Sequence, residues 1–220
     1  MHITTENREQ IKTKILRQPM CCVYPWAIEF VLEAVKELPA GSVMLEMGTF
    51  VGGSTHLFAL ANPNISIHTV DLNQFNEFHD DPMLADIRNR YGLDELTAMD
   101  LYEIQKMHIE DYTNIVSHTG HSRSLSISNL DLVFVDAAHE YEEVLEDLRY
   151  SWNLLKDDGY ILGDDVYAPN VYNAVWQFCQ EVDVEYTIYS KCFKIKKSTK
   201  GNAAIRKEIE AETFVDFKRC

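Results

Sequence analysis

The sequence predicts an α/β fold, doubly wound: an open, mostly parallel sheet with helices on both faces. Three observations predict it. Short apolar runs alternate with amphipathic stretches, with no repeat and no low-complexity linker. One run, Leu132-Val-Phe-Val135 between Asp131 and Asp136, is apolar throughout, as a strand buried on both faces must be. And the four clearest strands close on acids, Glu46, Asp71, Asp136 and the pair Asp164-Asp165. An open parallel sheet gathers its functional groups at the carboxyl ends of its strands.

The elements follow in order. Residues 25–38 place Ile28, Val31, Leu32 and Val35 at helical spacing, with Pro25 suited to the first turn. Residues 42–47 read as a strand, 54–61 as a helix, and 65–70 as a second strand ending in Asp71. A long polar and helical stretch spans 73–111, and 113–117 is a short third strand. After the buried strand 131–136, residues 140–156 form a helix with Val144, Leu145, Leu148, Trp152 and Leu155 on one side. Asp157-Asp158-Gly159 is expected to end it, the glycine suiting a left-handed C-terminal position. A strand at 160–162 leads into Gly163-Asp164-Asp165, and 170–182 is a further amphipathic helix, with Trp176 expected in the core. Residues 185–197 alternate like a strand pair at a sheet edge.

The 220 residues suit a single domain, 1–220, with 1–24 as an N-terminal helical extension and 198–220 as a polar C-terminal tail. A hydrophobic fraction of 46% supports a core. Thirty-five acids against 20 bases give a net charge of −15. That balance argues against nucleic acid and against an anionic membrane surface as partners. It leaves a small-molecule acceptor and is compatible with an oligomer of identical chains. Residues 1–18 show no signal-peptide core, and no apolar run approaches the ~20 residues that would span a bilayer. The five cysteines lack metal-ligand spacing, so buried free thiols and a cytoplasmic setting are expected.

The turn after the first strand reads Glu46-Met-Gly48-Thr49-Phe50-Val-Gly52-Gly53-Ser54. Its glycines let a ligand approach the backbone. It is not the Gly-x-Gly-x-x-Gly of dinucleotide sites, and no lysine follows to cradle phosphate, so an NAD enzyme is disfavoured. Glu46 would repel a pyrophosphate and suits a cationic ligand. Asp71, 25 residues on, is placed to accept hydrogen bonds from ribose hydroxyls. Ribose without pyrophosphate, joined to a cationic amino acid, describes S-adenosylmethionine (SAM). Asp136 and the Asp164-Asp165 pair lie 28 and 29 residues apart with one helix between, which returns the chain beside its start. Converging carboxylates repel unless a cation joins them, and all-oxygen ligands suit Mg²⁺, Ca²⁺ or Mn²⁺.

Leu45–Thr55 with Val70-Asp71 resembles the first two motifs of class I SAM-dependent methyltransferases. Val133-Phe-Val-Asp-Ala-Ala-His-Glu-Tyr141 and Leu155–Asp165 look like the metal-dependent small-molecule O-methyltransferases of the catechol and sugar types. The likeness covers roughly residues 25–197. It implies a Rossmann-like seven-stranded sheet with an antiparallel edge strand. It implies cofactor contacts from Glu46, Gly48, Thr49, Phe50, Gly52, Ser54 and Asp136, ribose contact from Asp71, and Gly120, His121 and Ser122 beside the adenine. It implies Asp136, Asp164 and Asp165 as ligands of a divalent cation, Mg²⁺ foremost. Asp136 and His139 would be the catalytic pair, with His139 as general base. Two acids at 164–165, where catechol-type members have Asp-Asn, favour the sugar type. Tyr167 is the best-placed acceptor contact, with residues 73–111 and 166–172 as lid and wall. His79-Asp80-Asp81 lies in a loop and reads as solvated. The expected activity is methyl transfer from SAM to a small-molecule hydroxyl. The alternative is a SAM- or metal-binding protein without methyl transfer.

Overall fold

The computed structural model describes residues 2–21, 23, 25–74 and 82–198. Seven strands form one sheet in the order β3-β2-β1-β4-β5-β7-β6. They are β1 (Val43–Met47), β2 (Ser66–Asp71), β3 (Ile115–Thr119), β4 (Leu130–Val135), β5 (Leu155–Gly163), β6 (Tyr186–Tyr189) and β7 (Cys192–Lys196). The first five run parallel, while β7 pairs antiparallel with β5 and carries β6 to the edge. This is a Rossmann-like doubly wound sheet. Strand order reverses between β1 and β4, so the crevice at their carboxyl ends is the switch point where such sheets bind ligands.

The helices are α1 (Arg8–Arg17), α2 (Pro25–Glu37), α3 (Gly53–Ala61), α4 (Pro82–Tyr91), α5 (Ala98–Ile109), α6 (Tyr141–Leu154) and α7 (Pro169–Val182). Alternation along each parallel strand sends side chains to both faces, and both are apolar. Met44, Ile67 and Phe134 pack with Val31 of α2 and Phe58 of α3. Leu45, Val133 and Ile161 pack with Leu148 of α6 and Val175 and Phe178 of α7. A third cluster stands apart from these two: Ile11 and Ile15 of α1, Ile87 and Tyr91 of α4, and Ile104 and Met107 of α5. It builds a cap beside the carboxyl ends of β1 and β2. Among the described residues no helix is long and apolar enough to cross a membrane.

Three details differ from the sequence reading. The helix expected over 140–156 ends at Leu154, and β5 begins at once, carrying Asp157, Asp158 and Gly159 inside it. A register shift between Leu130 and Leu132 accommodates them, and Asp158 takes the left-handed turn (φ 65°) instead of the glycine. β3 lies two residues later than expected. Trp176 is not core: it is 49% exposed, on the outer side of the helix whose inner side carries Ala174, Val175 and Phe178. The link from β3 to β4 contains one tight helical turn, Ser122–Ser124, where parallel strands more often use a full helix. Residues 75–81, which include the His79-Asp80-Asp81 triplet, and residues 199–220 lie outside the described residues.

Candidate active site

A cavity of about 870 Å³ opens at the switch point. Its walls include Gly48, Thr49, Phe50, Ser54, Asp71, Gly120, His121 and Ser122 at one end. At the other end stand Asp136, His139, Asp164, Asp165 and Tyr167. Of the residues singled out in the sequence, Glu46 and Gly52 do not line it. Gly52 (φ 81°) turns toward α5, where a side chain would meet the Gln105 carbonyl and His108.

The first turn is shaped by close backbone approach. The Gly48 N–H donates to the Val70 carbonyl, and Asp136 N–H donates to the Met47 carbonyl, each at 2.9 Å. This packing leaves no room at Gly48: a Cβ there would sit 1.8 Å from the Asp136 carbonyl oxygen. Glu46 lies beneath the turn, fully buried. Its carboxylate accepts from Ser54 Oγ at 2.5 Å, from Thr69 Oγ1 at 2.6 Å and from the Thr55 hydroxyl. Burial still pushes its pKa up to about 7, the three hydroxyls only partly offsetting the desolvation. Glu46 therefore fastens the turn to α3 and β2 from below.

Asp71 closes β2 at the rim. Its two oxygens accept the Phe50 and Asn73 N–H groups, both at 2.7 Å. Each carboxylate oxygen has a second lone pair, so the group can still receive hydroxyls from the cavity. Gln105 of α5, which no sequence spacing singles out, donates from Nε2 to the Phe50 carbonyl at 2.7 Å and to Asn73 Oδ1 at 3.0 Å. Beyond Asp71, the Gly120 N–H donates to the Asp71 carbonyl, and His121 caps the short turn that follows. Ser122 Oγ donates to Asp147 Oδ1 at 3.0 Å, and Arg123 bonds the same oxygen at 3.3 Å. Asp147 is buried on α6, its pKa raised chiefly by desolvation, and it too lines the cavity. Sequence reading missed it because it lies mid-helix, 25 residues from its partner Ser122.

At the opposite end, Asp136, His139 and Asp165 bring ligand atoms within 4.8 Å of one another. His139 Nε2 lies 2.8 Å from Asp165 Oδ2. That bond raises the His139 pKa above its ordinary value and lowers that of Asp165. Burial, then Asp164 and Asp165, push the Asp136 carboxyl well above the carboxylate range. The expected third carboxylate does not join this trio. Asp164 is buried, and its Oδ1 accepts from the Cys192 thiol at 3.5 Å. The two carboxylates, Asp136 and Asp165, fit a divalent cation, whose charge would relieve the repulsion at Asp136 and leave the His139 imidazole beside it. Tyr167 stands at the mouth, 62% exposed, with Lys191 Nζ 4.1 Å above its ring. Met20 and Met83 add apolar wall from the cap. Gly53 admits Met20 so closely that a Cβ would lie 1.7 Å from the Met20 carbonyl oxygen.

Solved structures share this architecture. A SAM-dependent O-methyltransferase from Thermotoga maritima is 11% identical, with a TM-score of 0.54 over 86% of this chain and 72% of that one. An O-methyltransferase from Bacillus cereus, in complex with S-adenosylhomocysteine (SAH), is 14% identical, with a TM-score of 0.51 over 90% and 92%. TomG from Streptomyces achromogenes, involved in tomaymycin synthesis and solved with SAM, is 15% identical, with a TM-score of 0.51 over 90% and 92%. At these identities the likeness is one of fold. Among curated proteins none matches the chain. The family model described as a methyltransferase domain matches residues 45–166, which run from β1 through the acidic pair after β5. The match takes in more than half of the chain and both ends of the cavity: the chain belongs to the methyltransferase-domain family.

Proposed function

We propose that the protein transfers the methyl group of SAM to a hydroxyl of a small molecule: a sugar, another natural product or a catechol-like diol. The observation that carries this reading is one continuous cavity with two chemically distinct ends. Asp71 and the Gly48–Ser54 turn form a cofactor end, and Asp136, His139 and Asp165 form an acceptor end.

The residues have separable tasks. Asp71 accepts ribose hydroxyls. Gly48, Thr49 and Phe50 present backbone to the cofactor, and Gly120, His121 and Ser122 flank the adenine. Asp136 and Asp165 would hold a divalent cation, Mg²⁺ foremost. Bound there, the cation would lower the pKa of an acceptor hydroxyl. His139 is placed to act as the base for the hydroxyl proton: its Nε2 now donates to Asp165 Oδ2 at 2.8 Å, and it would be freed to accept once Asp165 turned to the cation. The oxygen forms its bond to the methyl carbon as the carbon–sulfur bond breaks, and SAH leaves. The protein's share is positioning and charge stabilisation. Among the described residues the cavity wall carries no lysine or arginine, in keeping with an acceptor that is not a polyanion.

The test is methylation of a panel of diols, sugars and catechols, with Mg²⁺ and with excess chelator. Chelation should abolish transfer. Asp136→Asn and Asp165→Asn should each lower kcat by roughly 100-fold or more, while SAH affinity changes little. Full activity in excess chelator would remove the cation from the mechanism. SAH binding with no transfer to any acceptor would favour a binding protein instead.

A further inference from the structure

The Asp71 carboxylate is held by two backbone N–H groups, and both belong to residues with left-handed backbone: Phe50 (φ 45°) and Asn73 (φ 55°). Asparagine tolerates that region, but a phenylalanine there is strained. Such conformations persist only where the surroundings over-determine them. The surroundings here converge on one side chain. Gln105 is buried on α5, and its single amide nitrogen spends both protons on these two residues, one on the Phe50 carbonyl and one on Asn73 Oδ1. The amide cannot be reversed, because its oxygen would then face two acceptors. The result is a closed ring of bonds: Gln105 to Phe50, Phe50 to Asp71, Asp71 to Asn73, and Asn73 back to Gln105. Asn73 Nδ2 also donates to Thr119 Oγ1 at 3.0 Å, anchoring the ring to β3.

We propose that Gln105 is a positioning residue for ribose recognition, fixing the Asp71 carboxylate by clamping the two turns that bond it. The inference rests on reading Asp71 as the ribose ligand. It adds a residue from the helical cap, 34 positions away in sequence, whose effect on the cofactor runs entirely through Phe50 and Asn73.

The experiment compares calorimetric affinities of the full chain for SAH and for its 2′,3′-dideoxyribose analogue. Gln105→Met keeps the volume and loses both donors; Gln105→Asn keeps the amide and shortens its reach. Each variant is read only where it melts cooperatively, and either one suffices. The wild type should prefer SAH. In the variants, SAH affinity should fall about tenfold while analogue affinity holds, so the preference collapses. In an Asp71→Asn background, Gln105→Met should produce no further loss of preference. A variant that weakens both ligands equally, or keeps the wild-type preference, would overturn the inference. Wild-type protein that binds SAH and its analogue equally would overturn the ribose reading of Asp71, and a wild type that binds neither would overturn the cofactor reading itself.

Discussion

Gly48 is the residue at which the backbone leaves least choice. Its φ of 94° and its contact with the Asp136 carbonyl join the turn after β1 to the end of β4, which carries Asp136. Gly48→Ala should destabilise the protein by roughly 2–4 kcal/mol, since it combines a strained φ with a backbone clash. Urea unfolding measures this, and a loss under about 0.5 kcal/mol would show that the two strand ends can separate. Several site residues were legible because a local rule exposes them: acids at strand ends, glycines where the chain reverses, a histidine one turn beyond an acid. Gln105 and Asp147 were not. Each sits mid-helix, and its role depends on which distant turn its side chain reaches. Asp164 was legible as a strand-end acid, but the Cys192 thiol that engages it comes from β7, 28 residues later.

Among the elements, α1 owes its place to charge as much as to packing. Arg8 makes a two-pronged bond to Glu110 (3.0 and 2.7 Å) and reaches Glu103, while Lys12 bonds Glu110 and Asp111. Arg8 and Lys12 hold the Glu110 carboxyl down to about 2. A carboxylate depressed in this way adds stability above its ordinary pKa of 4.5, and that stability is lost as pH falls toward 2. Arg8→Ala should cost about 1 kcal/mol at neutral pH, a figure already discounted for solvent screening. The cost should fade between pH 4.5 and 2 in urea melts; a cost undiminished at pH 2 would point to packing rather than charge. Helix positions were legible from apolar periodicity, but boundaries were less so. The Asp157-Asp158-Gly159 triplet carries every mark of a helix stop, yet pairing with β4 and β7 draws it into a strand. Trp176 reads as core from its place in the middle of an amphipathic helix, but the inner side of α7 is already filled by Ala174, Val175 and Phe178.

At the scale of the whole molecule, two buried groups tilt the pH profile in opposite directions. His108 donates from Nδ1 to the Val51 carbonyl at 2.6 Å, and its Nε2 has no hydrogen-bond partner among the described residues. Burial, with His56 beside it, disfavours the protonated ring and lowers its pKa to about 4. The unfolded chain then takes up a proton near 6.5 that the folded chain refuses, and stability is lost as pH falls from 6.5 toward 4. Glu46 acts the other way. With its pKa raised to about 7, it favours the folded state at low pH, and that contribution is lost as pH rises from 4.5 to 7. Glu46→Gln should therefore gain on the wild type over that window, by up to about 3 kcal/mol, and show a steeper acid decline. His108→Gln should flatten the decline. Thermal melts from pH 4 to 8 decide both, and parallel curves for all three proteins would contradict the account. The mostly parallel, doubly wound sheet was legible, because alternating apolar runs and amphipathic stretches predict it; the strand order was not read. The helical cap was not, because residues 73–111 carry no strand to fix where they go.

The contact between Gly53 and the Met20 carbonyl bears on what the residues before α2 contribute. Counted by strands, the domain starts at β1, and a chain trimmed to Pro25 would keep all seven. Counted by walls, it starts earlier. Met20 belongs to the cavity lining, α1 supplies part of the third hydrophobic cluster, and the Ile3 N–H and the His2 ring both bond Asp100. A shortened chain could keep the full sheet and still leave its reaction chamber open to water.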